Sequence, residues 1–110
     1  MAYDEGLADR IRALLATDHD VVEKKMFGGL AFLVGGHMSV SASRQGGLLL
    51  RCEPDETDAL VGEPGVSRFE MRGRAMDGWL RVEADAVESA EGLERWVAVG
   101  VGYAHSLPPK

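Results

Sequence analysis

A single cysteine, Cys52, stands in the 110-residue chain. No intramolecular disulfide can form, and no cysteine-rich zinc cage fits within one copy. Long apolar runs are also missing: none approaches the roughly 20 residues that a membrane-spanning helix needs. The opening Met1-Ala2-Tyr3-Asp4-Glu5 is acidic and lacks the basic and apolar regions of a secretory signal. Basic residues are the minority, 12 Lys and Arg against 18 Asp and Glu, for a formal charge of −6. Phosphate neutralisation supplies most non-specific affinity for nucleic acid, so this balance argues against direct DNA binding while leaving room for a local basic patch. The expectation is a reduced, cytoplasmic protein without membrane contact.

What is present suits one ordinary globular domain spanning 1–110. Hydrophobic residues make up 45% and charged residues 27%, too apolar for disorder. A chain this long buries roughly two-thirds of its unfolded surface, enough for a core without staples.

The most informative stretch runs from Lys25 to Val40. Two apolar runs are each entered through a glycine pair, Gly28-Gly29 and Gly35-Gly36. Gly35-Gly36, flanked by apolar runs, reads as a two-residue hairpin turn of type I′ or II′. Before it, Leu7, Ile11, Leu14 and Leu15 share one helical face, predicting a helix over about 4–16. Val21 to Phe27 is rich in strand formers, interrupted by Glu23, Lys24 and Lys25. Leu30 to Val34 is continuously apolar, as in a covered strand. Met38, Val40 and Ala42 alternate with Ser39, Ser41 and Ser43, which predicts a half-buried strand with a polar outer face. Leu48 to Cys52 forms a fourth strand with Leu48, Leu50 and Cys52 on one side. Pro54 can open a short helix ending before Gly62. Arg68 to Arg72 alternates as a fifth strand, 73–78 reads as a connection, and 79–83 as a sixth strand. Ser89 is a candidate N-cap for a last helix whose stripe is Leu93, Trp96, Val97, Gly100, Val101 and Ala104, ended by Pro108-Pro109. The order α-β-β-β-β-α-β-β-α, with short turns between the early strands, predicts an α+β fold: an antiparallel meander covered by helices from both chain ends.

Several literal motifs accompany this pattern: Lys24-Lys25-Met26-Phe27-Gly28-Gly29, the Gly35-Gly36 hairpin, Phe69-Glu70-Met71-Arg72-Gly73-Arg74-Ala75-Met76, Gly78-Trp79, and the tail from Trp96-Val97 through Tyr103-Ala104-His105 to Lys110. In these the chain resembles the TfoX N-terminal domain family of bacterial competence regulators, over about Met26 to the C-terminus. The resemblance implies a compact two-layer α+β domain, similar to secretion-chaperone-like folds and often dimeric, linked to transcriptional control of DNA uptake. It implies no catalytic residues and no cofactor. The longer regulators carry a second, C-terminal domain, whereas this chain stops at Lys110. The expectation is a stand-alone N-terminal domain for which a role in competence does not follow.

Candidate sites are few. Arg72 and Arg74 flank a glycine, and arginine suits bidentate binding of carboxylate or phosphate; Lys24 and Lys25 could lie on a neighbouring strand. These four are the candidate contacts for a protein partner or anion, set against the plainer reading of exposed charges. Gly28, Gly29, Gly35 and Gly36 read as structural turns; no P-loop context surrounds them. Trp96, Gly100, Val101 and Ala104 read as core, with a dimer contact as the alternative. Cys52 reads as a buried, inert thiol. His19, His37 and His105 show no metal-ligand spacing. The leading expectation is a non-enzymatic interaction domain, a homodimer with a protein partner. A small-molecule module or minor enzyme holding an anion at Arg72 and Arg74 is the alternative, and direct DNA binding ranks below both.

Overall fold

Asp4 opens the first helix, its carboxylate accepting the Leu7 amide at 3.1 Å, the usual satisfaction of an orphan N–H at a helix start. This helix, α1, spans Glu5–Leu14 and turns Leu7, Ala8 and Ile11 inward. The computed structural model describes residues 3–17, 21–26, 28–71 and 73–108. His19, Phe27 and Arg72 lie outside the described residues.

Six strands follow in one antiparallel sheet: β1 (Val21–Met26), β2 (Gly29–Val34), β3 (His37–Ala42), β4 (Leu48–Arg51), β5 (Val66–Met71) and β6 (Arg74–Val82). The β2–β3 turn is the expected one. Gly35 and Gly36 carry φ of 59° and 86°, the double positive φ that a type I′ turn demands. Gly28 also lies at positive φ. Gly29 starts β2 against β3, where a side chain would meet the Ala42 carbonyl oxygen at 2.2 Å.

The strand order is β1-β2-β3-β4-β6-β5. The meander therefore holds through β4, after which β6, not β5, takes the place beside β4 and β5 becomes the far edge. Two sequence expectations are corrected here. The stretch 73–78 is not a connection: β6 already begins at Arg74, and Gly78, at φ 83°, lets the strand bend without ending. Nor does β3 have a polar outer face open to water, since Ser39 and Ser41 are as buried as the apolar residues between them. Ser39 donates to the Phe32 carbonyl at 2.7 Å, where the β2–β3 register shifts, so the polar group is buried with its partner in place.

Between β4 and β5, a 3₁₀ turn (Pro54–Glu56) leads into the one-turn helix α2 (Thr57–Leu60). After β6, a second 3₁₀ turn (Ala84–Val87) precedes α3 (Ala90–Ser106). The Ser89 hydroxyl caps α3 by accepting the Gly92 amide at 3.0 Å. No helix of the described residues is long and apolar enough to cross a membrane.

Cross-strand pairing sorts the sheet into two faces. One row runs Glu23, Phe32, Val40, Leu50, Leu80, Arg68, and a parallel one Lys25, Leu30, Ala42, Leu48, Val82, Val66. Their apolar members join Leu7, Ile11, Leu93, Trp96 and Val97 of α1 and α3 in the main core. Helices from both ends thus cover the same face. Gly100 makes this contact close: a Cβ there would stand 2.5 Å from the Ser39 carbonyl oxygen and 2.6 Å from Val40 Cγ1. Trp96, Gly100 and Ala104 are buried against the sheet of their own chain, and Val101 is half-buried.

Candidate functional site

The intervening rows lie on the other face: Lys24, Ala31, Ser41, Leu49, Arg81, Ser67; then Val22, Leu33, Met38; and, at the end of the sheet, the pair Arg51, Trp79, of which Arg51 also reaches Tyr103 of α3. A second, smaller apolar cluster lies here. Ala31, Met38 and Leu49 are buried, and half-buried Met26, Leu33, Phe69 and Trp79 pack on them. No helical residue belongs to it. Phe69 and Trp79 stack obliquely, centroids 6.5 Å apart. Val22, on the outermost strand, is 61% exposed. The charged side chains in these rows are Lys24, Arg51 and Arg81, with no Asp or Glu among the described residues that the pairing places there. The helix-side rows carry both signs, Glu23 with Lys25 and Arg68, whereas the charged groups of the uncovered rows are all cations, in a chain whose net charge is −6.

The sequence-predicted cations are dispersed rather than gathered. Lys24 lies on the uncovered face, but Lys25 alternates onto the helix-side row. Arg74 starts β6 at the tip of the β5–β6 hairpin and pairs with Met71. Four strand spacings, about 19 Å, separate β1 from β6. The expectation of Lys24 and Lys25 on a strand neighbouring Arg72 and Arg74 is corrected for Arg74, whose strand is separated from β1 by β2, β3 and β4; Arg72 lies outside the described residues.

Three other arginines are tied to carboxylates. Arg12 binds Glu23 at 2.6 and 2.8 Å, and Arg68 bridges Asp77 and Asp58. Arg95 grips both oxygens of Glu63. These hydrogen bonds hold the carboxyls of Glu23 and Glu63 below the usual carboxylate range. Arg81 donates to the Gly46 carbonyl at 3.0 Å, pinning the β3–β4 turn.

Arg51 differs from all of them, and sequence reasoning missed it. It ends β4 opposite Trp79, at the end of the sheet where α3 finishes. Its guanidinium carbon stands 5.0 Å from the Trp79 ring centroid and 5.1 Å from that of Tyr103 on α3. Its Nε is buried with no hydrogen-bond partner, the one such side-chain atom among the described residues. No sequence motif joins Arg51, Trp79 and Tyr103; only the β4–β6 pairing and the seating of α3 do.

Cys52 is buried, and burial pushes its thiol above the ordinary range, as suits an inert packing group. His37 Nε2 lies 2.6 Å from the Pro108 carbonyl oxygen. Among the described residues no three His, Cys, Asp or Glu side chains gather as metal ligands. A cavity of about 300 Å³ between the Pro54–Glu56 turn and α3 is lined by Glu53, Glu56, Leu60 and Tyr103. Its acidic lining opposes an anion, and Arg74 does not line it.

No curated protein and no solved structure matches the chain. The TfoX N-terminal domain does, across residues 13–104. That span takes in both glycine-entered strands, the β5–β6 hairpin and α3 through Ala104, which is the whole sheet with its covering helix. The chain belongs to the TfoX N-terminal domain family.

Proposed function

We propose that this domain is a non-enzymatic regulatory module that docks an acidic protein partner on the sheet face its helices leave uncovered. The observation that carries the reading is the coincidence of an apolar cluster with Lys24, Arg51 and Arg81 on that face, in an otherwise acidic molecule. Interface centres are enriched in Trp, Tyr, Met and Arg, and Trp79, Phe69, Met26 and Arg51 supply that chemistry. The distribution of charge also disfavours stacking this face on a second copy of itself, because Lys24, Arg51 and Arg81 would meet their own kind. A control of transcription, the role implied by the family resemblance, is exercised here through that partner rather than through DNA. Phosphate binding wants a broad basic surface, and the chain carries a net charge of −6.

The test is affinity capture from the native host at mild salt, followed by a purified two-component titration. Three forms are compared: wild type, Val22→Asp/Lys24→Glu on the uncovered face, and Glu94→Lys on α3. The expected result is a partner held by wild type and by Glu94→Lys, with affinity at least tenfold weaker for the double variant. A partner bound equally by all three forms overturns the assignment of the face. Self-association alone, with no second protein, overturns the partner.

A further inference from the structure

We infer that Arg51 is a carboxylate receptor, presenting the outer edge of its clamped guanidinium to an acidic side chain of the docked partner. The inference rests on the docking reading for the source of the carboxylate and on local geometry for the chemistry.

The contrast among arginines comes first. Arg12, Arg68 and Arg95 each reach a carboxylate, and Arg10 and Arg81 reach backbone carbonyls. Arg51 has neither among the described residues, although it is more sheltered than Arg12 or Arg95. What it has is two rings, Trp79 and Tyr103, each about 5 Å from the guanidinium carbon. A ring face attracts the cation but accepts nothing from N–H groups lying in the guanidinium plane. Its in-plane donors therefore remain unanswered, and unanswered sheltered donors are costly. Of these atoms only Nε is sealed from solvent without a partner. The terminal Nη1 and Nη2 are not among the buried, unpartnered atoms, and they form the edge offered to a ligand.

Clamping also pre-organises the group. An arginine side chain free in water gives up rotamer freedom when it binds; one held by two rings has already done so. The planar fork of Nη1 and Nη2 matches the two oxygens of a carboxylate. Phosphate is the poorer match. It would call for further cations, but Lys24 is three strands away and Arg81 is committed to Gly46 and Ser43. Beside the fork lie Trp79 and the apolar cluster containing Met38 and Leu49. An acidic side chain flanked by leucine-like neighbours fills both halves of such a site, whereas a small free acid uses only one.

The 110-residue chain is titrated by two-dimensional NMR with three probes: an acetylated, amidated peptide alternating Leu and Glu, sodium acetate, and inorganic phosphate. The Arg51 Nε–H and Trp79 indole resonances are followed, the latter assigned with Trp79→Phe. The expected result is saturable movement of both signals with the peptide, and at least tenfold weaker affinity in Arg51→Lys, which keeps the charge and loses the fork. Tyr103→Leu, which frees one side of the clamp, should weaken the peptide severalfold while circular dichroism stays that of the wild type. Peptide affinity unchanged in Arg51→Lys overturns the inference. Acetate binding as tightly as the peptide overturns the partner as source, and tighter phosphate binding overturns the carboxylate. If the native partner is lost by Val22→Asp/Lys24→Glu but kept by Arg51→Lys, the docking face stands and the receptor at Arg51 falls.

Discussion

The two faces of the sheet are built from alternate residues of the same six strands, yet they solve different problems. On the helix side, Phe32, Val40, Leu50 and Leu80 are sealed beneath α1 and α3, and their burial is what holds the fold together. On the other side, Ala31, Met38 and Leu49 are buried among longer neighbours, Met26, Leu33, Phe69 and Trp79, which remain half-exposed. The larger core lies on one face, which leaves the other free for the docking proposed above. A sheet buried on both faces by its own chain could not make that separation.

The comparison can be broken hardest at Leu80. Leu80→Ala empties a fully buried site beneath the helices and should cost about 3 kcal/mol, read as a fall in denaturant midpoint. A matched truncation on the other face, Leu33→Ala, should cost about 1 kcal/mol, because its side chain is already half in water. Equal losses would mean that the two faces share the stabilising work. Gly100→Ala lies between them. Alanine gains helix propensity, about 1 kcal/mol, but its methyl group must displace the Ser39 carbonyl or lift α3. A net loss of about 1–2 kcal/mol is expected from such overpacking. Lys24→Glu should change the unfolding free energy by less than about 0.5 kcal/mol while weakening the partner.

The smallest effect is in pH. Glu23 and Glu63 sit below their ordinary range because Arg12 and Arg95 hydrogen-bond their charged forms. The stability they contribute is complete above the carboxylate range of the unfolded chain. It is lost as pH falls through that range toward the lower native values. Both pairs are exposed, so salt should flatten the effect. The check is the acid limb of a stability–pH curve, compared between wild type and Glu63→Gln at low and high salt.

Much of this architecture was legible from local pattern. The helical stripe at Leu7 and Ile11, the glycine pair at 35 and 36 and the Ser89 cap each encode a short-range preference, and each appears where expected. What escaped was non-local. Nothing near Leu48–Arg51 says that its second neighbour is β6, because hairpin signals report only which strands are joined by a turn. Gly73 and Gly78 looked like the two ends of a loop, whereas the strand runs through the second of them with a bend. Arg51 was passed over for the same reason. Arg72-Gly73-Arg74 is conspicuous because its charges adjoin in sequence, while Arg51 gains its partners only after β6 and α3 have been laid beside it.

The order β4-β6-β5 also has a consequence for how the chain is made. Synthesis through Arg51 yields four meander strands that end in Leu48-Leu49-Leu50, an apolar strand whose outer hydrogen-bonding edge has no neighbour. Its partner, which pairs Leu48 with Val82 and Leu50 with Leu80, emerges only after α2 and β5. Until then the chain carries the kind of unpaired edge on which nascent proteins cross-associate. The β5–β6 hairpin can close on its own local contacts and dock as a unit, and that docking turns a sticky border into the middle of a sheet. The time to reach Val82, more than the strength of any single contact, sets how long the newborn domain remains at risk.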